Sequence, residues 1–200
     1  MRKIAVTLLC LVALHAGAQT APAAPPLRLR ATIESVSAAS MVVKERSGEL
    51  VTLALADNLV VNEMLAIELS ALKPGAFIGT AAAPQPDGTL RALEVTVFPE
   101  AARGTGEGHR PYDLQPGSTM TNATVADLAG PAQDRRLTLK YKDGQQTVVV
   151  PEGVPVVTFK PADRMLLVAG ARVIVTAEMR DGRPTATRII AGRNGFVPPL

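Results

Sequence analysis

Apolar and polar residues alternate along several short stretches of the chain, which is typical of strands with one buried face. In the first stretch, Leu27, Leu29, Ala31 and Ile33 alternate with charged or hydroxyl-bearing residues. Four more strands are expected in the first half of the chain, and one of them, over 76–83, is apolar on both faces. The other three are expected over 41–46, 49–55 and 89–98.

Residues 62–72 lie between the third and fourth of these strands and have a helical spacing of apolar positions. The segment should end at Lys73-Pro74-Gly75, because proline cannot continue a helix and glycine accepts the left-handed cap conformation. We therefore expect a helix whose buried side is formed by Met64, Leu65, Ile67, Leu69 and Leu72.

The same order of elements recurs in the second half of the chain. Ala31-Thr32-Ile33 is matched by Ala123-Thr124-Val125 at an offset of 92 residues, and Gly75 is matched by Gly170 at an offset of 95. A nearly constant offset indicates duplication of one unit with small changes in the loops. The second set of strands is expected over 120–127, 136–141, 146–150, 171–178 and 185–191, with a short helical segment over 162–167.

Three strands, a helix and two strands are the order of elements in an OB-type barrel, a small five-stranded β-barrel. The predicted fold class is therefore all-β with short helices, built from two tandem OB-like five-stranded barrels. The alternative is a single continuous β-sandwich. The predicted segments are the first barrel over 28–98, a Gly/Pro-rich connector over 99–119, the second barrel over 120–195 and a C-terminal tail over 196–200.

The N-terminus has the three-part pattern of a secretory signal peptide. Arg2 and Lys3 precede an uncharged, mostly apolar run over 4–14, and Ala16-Gly17-Ala18 then supplies small residues for cleavage. A buried core helix or a retained anchor are the alternatives. We expect a signal peptide over 1–18, a flexible Ala/Pro tether over 19–27, no transmembrane segment after cleavage, and a periplasmic or secreted bacterial protein.

Cleavage would change the composition as well as the length. The chain has 21 basic and 18 acidic residues, and loss of two basic residues lowers its net charge from +3 to about +1. Cys10 and His15 would also be lost, leaving no cysteine and one histidine, His109. A disulfide, a thiolate nucleophile and a Cys/His zinc site are therefore not expected. Binding of nucleic acid is not expected either, because the chain lacks tryptophan and has few aromatic residues for base stacking.

Most of the chemically active side chains outside the predicted strands lie in the connector. Glu107, His109 and Asp113 could supply oxygen and imidazole ligands to a divalent metal, although the stronger expectation is a packed connector with no metal. Ser118, His109 and Asp113 also have the composition of a hydrolytic triad. The candidate ligand-binding residues are Arg103, Glu107, His109, Arg110, Tyr112 and Asp113.

The repeat pattern, the Asp87-Gly88 and Asp181-Gly182 turns and the connector sequence over 103–111 resemble a family of exported bacterial proteins of unknown function built from repeated OB-like β-domains. Relatives sometimes carry the label of a metal ABC transporter permease. The sequence does not support that label, because it has no membrane-spanning stretch beyond the leader. The resemblance implies the fold and export, and it supplies no activity.

Together these observations predict a non-catalytic binding or scaffold module of the bacterial cell envelope. Its partner would be an envelope protein or a small ligand, and no cofactor is expected. The alternative is a periplasmic protein that binds a metal or a small ligand through the inter-domain connector. An enzyme is not expected.

Overall fold

The computed structural model describes residues 26–129 and 134–199. The predicted signal peptide lies outside the described residues, as do most of the tether and the last residue of the tail. Nearly all described elements are strands, and the helices are three short 3-10 segments, which confirms the all-β fold class with short helices. None of the described helices combines the length and the apolar composition needed to cross a bilayer. The strands are β1 Leu27–Val36, β2 Ser40–Glu45, β3 Leu50–Ala66, β4 Phe77–Pro84, β5 Leu90–Val97, β6 Gly108–Pro111, β7 Thr119–Ala129, β8 Asp134–Tyr141, β9 Gly144–Pro151, β10 Val156–Ala162, β11 Arg172–Arg180 and β12 Arg183–Gly192.

Barrel I is the closed circuit of strands β1, β2, β3, β12 and β11. Its pairs are antiparallel except for β3 and β12, which run parallel. Alternate residues of these strands point inward and form one apolar core. The most buried members of that core include Ile33, Val43, Leu53, Val175 and Ile189.

Barrel II is the closed circuit of β7, β8, β9, β5 and β4, again with a single parallel pair, β5 and β9. Its separate core includes Ile78, Val95, Val125, Leu139 and Val148. The prediction of a closed five-stranded barrel is therefore confirmed. The parallel pair closes each circuit, β3 with β12 in barrel I and β5 with β9 in barrel II, so each sheet closes on itself and leaves fewer free edges.

The strand pairing corrects the predicted assignment of strands to the two barrels. The ranges 28–98 and 120–195 do not each close a barrel of their own, because each barrel takes three strands from one half of the chain and two from the other. Strand β10 lies between β3 and β5 and joins the two circuits into one twelve-stranded sheet. Strand β3 pairs with β12 of barrel I up to Met64 and with β10 over 61–66, so the chain leaves barrel I beside β10 before β4 begins.

The helix predicted over 62–72 is wrong. Strand β3 extends to Ala66, and only Leu69–Ala71 forms a 3-10 turn. Residues 61–64 are all buried, so both faces of this part of β3 are covered, and β12 and β10 pair with its two edges. A strand buried on both faces does not need the period-2 alternation of a half-buried strand, so the apolar residues that follow Asn62 and Glu63 have a spacing that resembles that of a helix.

The second predicted helix is also shorter than expected. Strand β10 occupies Val156–Ala162, and a 3-10 turn follows at Arg164–Leu166, where the Asp163 carboxylate accepts from the Met165 N–H at 2.9 Å. Gly75 and Gly170 have positive φ values of 87° and 84°, as the cap prediction requires, but they form turns before β4 and β11. The first strand already begins at Leu27, which the sequence placed in the tether.

Candidate functional site

Part of the outer face of barrel II, formed by β4, β5, β6 and β7, faces barrel I rather than solvent. Across β5, β4, β7 and β6, Glu94 pairs with Ala81, Ala81 with Met120, and Met120 with Arg110. A second row two residues away contains Thr96, Gly79, Asn122 and Gly108. Residues two apart on one strand share a face of the sheet, so these two rows form one surface directed at barrel I.

Barrel I presents an equivalent surface from β12, β11 and β1. One row contains Arg188, Thr176 and Arg28, and the next contains Ile190, Ile174 and Arg30. The two surfaces contact each other through an apolar cluster of Ala81, Met120 and Ile174. Two sheets packed face to face exclude water from this cluster and hold the barrels against each other.

The two surfaces leave a space between them that we call the central cavity. It has a volume of about 210 Å³, which is below the range of about 300–1,000 Å³ typical of sites for drug-sized ligands. Its polar lining includes Arg28, Asn62, Glu94, Thr96, Arg110, Asn122, Thr176 and Arg188. Its apolar lining includes Met64, Phe98, Met120, Phe159, Ile174 and Ile190.

Glu94 is the most unusual group in the central cavity because its side chain is completely buried. The Thr96 hydroxyl donates to Oε1, while Oε2 has no partner among the described residues. Burial raises the pKa of Glu94 to about 8, and the contacts with Thr96 and the Ala81 backbone and the charge of Arg28 oppose that shift. At neutral pH the group is therefore a neutral carboxylic acid.

Glu63 is a second buried carboxylate in the protein, and unlike Glu94 it is paired with basic side chains. Arg193 donates to both of its oxygens at 3.1 and 3.2 Å, and the Lys160 ammonium lies 3.6 Å away. The hydrogen bond from Arg193 lowers the pKa of Glu63 below its ordinary value. Glu94 lacks such a partner in the described part of the chain, so the two buried acids have opposite protonation states at neutral pH.

Asn122 contributes a second buried polar atom without a partner. Its Nδ2 donates to the Thr105 carbonyl at 2.9 Å, which identifies Oδ1 as the free acceptor within the described residues. Gly79 makes this arrangement possible, because a Cβ there would lie 2.8 Å from Asn122 Oδ1 and 2.9 Å from the Phe98 ring. Buried polar atoms without partners are uncommon in folded proteins, and each one costs about 1–3 kcal/mol.

The connector is held by separate contacts rather than gathered around one ligand. The Arg103 guanidinium binds the Glu100 carboxylate at 2.6 Å and the Gly75 carbonyl at 2.9 Å. The Glu107 carboxylate accepts from the Lys142 N–H at 3.0 Å. Arg110 donates to the Gly106 carbonyl at 2.8 Å, and it is the predicted site residue that also lines the central cavity.

The remaining predicted site residues face two different parts of the molecule. His109 Nδ1 lies 2.8 Å from the Thr121 hydroxyl, and its ring stacks against Tyr141. Arg30 donates to both oxygens of Asp113, at 2.8 and 3.0 Å, and to the Tyr112 hydroxyl at 3.1 Å. The alternative metal set of Glu107, His109 and Asp113 is therefore not brought together, and residues 26–129 and 134–199 contain no group of three or more potential metal ligands.

The hydrolytic set suggested by composition is not assembled either. Ser118 Oγ donates toward the carbonyls of Gln115 and Tyr112, at 2.7 and 3.0 Å, and so stabilises the loop before β7. The His109 ring is hydrogen-bonded to Thr121, and the Asp113 carboxylate forms an ion pair with Arg30. The three side chains thus have three structural roles.

We predict that His109→Ala lowers the free energy of unfolding by about 1 kcal/mol, the typical value of one lost hydrogen bond. The reason is that Thr121, which is fully buried, loses its contact with His109. Thr121→Val removes the same contact, so the double variant should be little less stable than either single one, as urea unfolding would show. Calorimetric titration with zinc, copper and nickel should give the same result for wild type and His109→Ala. Micromolar binding that the substitution abolishes would contradict this assignment.

Sequence reasoning missed the residues of the central cavity, although one signal pointed to it. Strand β4 is apolar on both faces, and residues 77–82 are all buried. If the outer face of a strand is buried, another part of the protein covers it, and the adjacent outward-facing residues of the neighbouring strands are then covered as well. Glu94 on β5 and Asn122 on β7 occupy those positions, whereas their charge or polarity alone indicated solvent.

Comparison of the chain with models of protein families, with curated proteins and with solved structures gives no match.

Proposed function

We propose that the protein is a non-catalytic binding module of the bacterial cell envelope and that its binding site is the central cavity. The observation that carries the proposal is the pair of buried oxygens without partners among the described residues, Glu94 Oε2 and Asn122 Oδ1, on two residues that line the same partly open cavity. A bound molecule would satisfy both atoms and offset the cost of leaving them unpaired. Export rests on the N-terminal leader pattern.

The mixed lining of the central cavity supports binding of a small organic molecule. Small-molecule sites are mostly apolar with a few polar groups that fix orientation, and this cavity combines aromatic and aliphatic walls with two polar side chains that each have an oxygen without a partner among the described residues. The connector contributes Thr105, Gly106 and Arg110 to the lining. The connector residues thus enter the proposal as part of the cavity wall, and a metal site over Glu107, His109 and Asp113 has no geometric support.

Native mass spectrometry of the protein from the envelope of the bacterium that produces it tests the proposal. We expect a bound small molecule on wild type. Met64→Phe should remove it, because Met64 lines the cavity and the larger ring fills the space. Met179→Phe is the matched control, since Met179 is 61% exposed on β11. A wild-type protein that has the mass of the chain alone, in every preparation, would contradict the proposal.

A further inference from the structure

The charges around the central cavity are unbalanced. Arg28, Arg110 and Arg188 line it, and Glu94 is its one acidic residue. Arg28 and Arg188 have no ion-pair partner among the described residues, and Arg110 donates to a neutral carbonyl. The charge balance of the cavity therefore differs from that around Glu63, where Arg193 and Lys160 form ion pairs with the buried carboxylate. Arg28, Arg110 and Arg188 are exposed at the rim of a partly open cavity. An excess of guanidinium groups around such a cavity attracts anions.

We infer that the central cavity binds a small organic anion whose carboxylate faces the arginines and the Glu94 side chain and whose apolar part packs against the cavity wall. This inference rests on the proposed function, since it names the class of ligand for the same site. Arg28 and Arg188 come from barrel I, while Glu94 and Asn122 come from barrel II. The ligand would thus contact both barrels.

The hydrogen bonds already made by Glu94 and Asn122 define what the ligand must offer. The Thr96 hydroxyl binds Glu94 Oε1, which leaves Oε2 as the oxygen without a partner among the described residues. In the proposed complex the neutral acid carries its proton on Oε2 and donates it to the ligand. Asn122 Oδ1 is a free acceptor, because Nδ2 is already bound to Thr105. A carboxylate accepts from the first group, and a hydroxyl next to it donates to the second. A 2-hydroxy acid with an aliphatic side chain carries all three features.

Four compounds of the same carbon skeleton separate the ligand classes in calorimetric titrations of ligand-free, refolded protein at pH 7. They are 2-hydroxy-4-methylpentanoate as the anion, its amide as the neutral form, leucine as the zwitterion and leucinamide as the cation. We expect the anion to bind at least tenfold more tightly than each of the others. Tighter binding of leucinamide or of the neutral amide would overturn the inference.

Two arginine variants test the origin of that preference. Arg188→Gln should weaken binding of 2-hydroxy-4-methylpentanoate at least tenfold and leave binding of its neutral amide nearly unchanged, because the variant removes charge from the cavity wall. Arg183→Gln on the same strand is the matched control, since Arg183 is exposed and does not line the cavity. Equal effects of the two substitutions would contradict a specific role for Arg188.

The pH dependence of binding tests the role of Glu94. The charged groups that line the cavity with Glu94 are Arg28, Arg110 and Arg188, which stay charged throughout the accessible pH range. Ala81, Met120 and Asn122 on the neighbouring strands are uncharged. Since a neutral acid donates to the anion and an ionised one repels it, affinity should be constant from pH 6 to 7.5. It should then fall tenfold per pH unit above the pKa of Glu94, which burial raises to about 8.

Glu94→Gln should bind the anion at pH 7 and lose the alkaline fall, because the glutamine amide donates at every pH. Glu178→Gln is the control, since Glu178 is exposed and pairs with Arg180 outside the cavity. An affinity that rises with pH in wild type would show that Glu94 binds a cationic group, and the inference would fail. If none of the four compounds binds while Met64→Phe still removes the copurified molecule, the anion inference fails and the proposed function stands. If none of the four compounds binds and no molecule copurifies with wild type, both the anion inference and the proposed function would be overturned.

Discussion

Glu94→Gln should make the protein more stable than wild type at pH 7 and above, and leave its stability near pH 4 almost unchanged. Glu94 has an ordinary pKa of 4.5, and burial in the folded protein raises it to about 8. Below pH 4.5 the acid is protonated in both states, so it makes no pH-dependent contribution. Between these two pKa values the unfolded chain has released the proton and the folded chain still holds it.

The folded state therefore binds more protons than the unfolded state in this interval, and stability falls as pH rises. Above about pH 8 both states are ionised and the loss reaches its full value. One pKa unit corresponds to 1.36 kcal/mol, so the full loss is on the order of 5 kcal/mol for a group as buried as Glu94. Glutamine cannot ionise, and its variant avoids this loss.

Urea unfolding of refolded, ligand-free protein at intervals between pH 4 and pH 9 measures the effect. Other carboxyls contribute with the opposite sign: Arg30 lowers the pKa of Asp113 and Arg193 lowers that of Glu63, so both acids favour the folded state above pH 4 to 5 and lose this contribution in acid. The difference between wild type and Glu94→Gln cancels these shared contributions. Glu178→Gln should follow wild type across the range. Parallel curves for Glu94→Gln and wild type would show that folding does not raise the pKa of Glu94.

The sequence predicted the strands well because period-2 alternation is a local property. The stretch from Leu27 to Ile33, the two-sided apolar strand at 76–83 and the Asp-Gly turn before β12 all have their expected form. The helix predicted over 62–72 is wrong because β3 continues to Ala66, where it pairs with β10, and burial of both of its faces over 61–64 removes the alternation. That cover depends on residues far along the chain, which no local pattern contains.

The assignment of strands to barrels could not be derived from alternation either. Strands β4 and β11 have the same place in the two halves of the chain, so each fits beside either β1 or β7. Pairing within one half and exchange between halves satisfy the same local pattern. The observed exchange brings Glu94 and Asn122 of barrel II against Arg28 and Arg188 of barrel I. The candidate site exists only where the two barrels meet. It could not be predicted from the sequence because alternation does not determine which strands form each barrel.

The exchange of strands predicts that neither half of the chain folds as a monomer. Residues 26–115 contain β1, β2 and β3 of barrel I but lack β11 and β12, and they contain β4 and β5 of barrel II without its other three strands. Each isolated half would expose the unpaired edges and the inner faces of two incomplete barrels, which is a severe loss of stability. We expect 26–115 and 116–200 each to lack cooperative unfolding as monomers.

Mixing the two fragments should restore the β-sheet circular dichroism and the cooperative transition, because the missing strands are then supplied in trans. The cut lies in the loop between β6 and β7, where no strand is interrupted. The control is the intact chain nicked in that loop, whose halves should elute together until denaturant is added. Sedimentation must accompany the dichroism, since a fragment could complete its barrels from a second copy of itself and fold as a dimer. A folded monomer of 26–115 would contradict the exchange, because that range would then close a barrel from its own five strands.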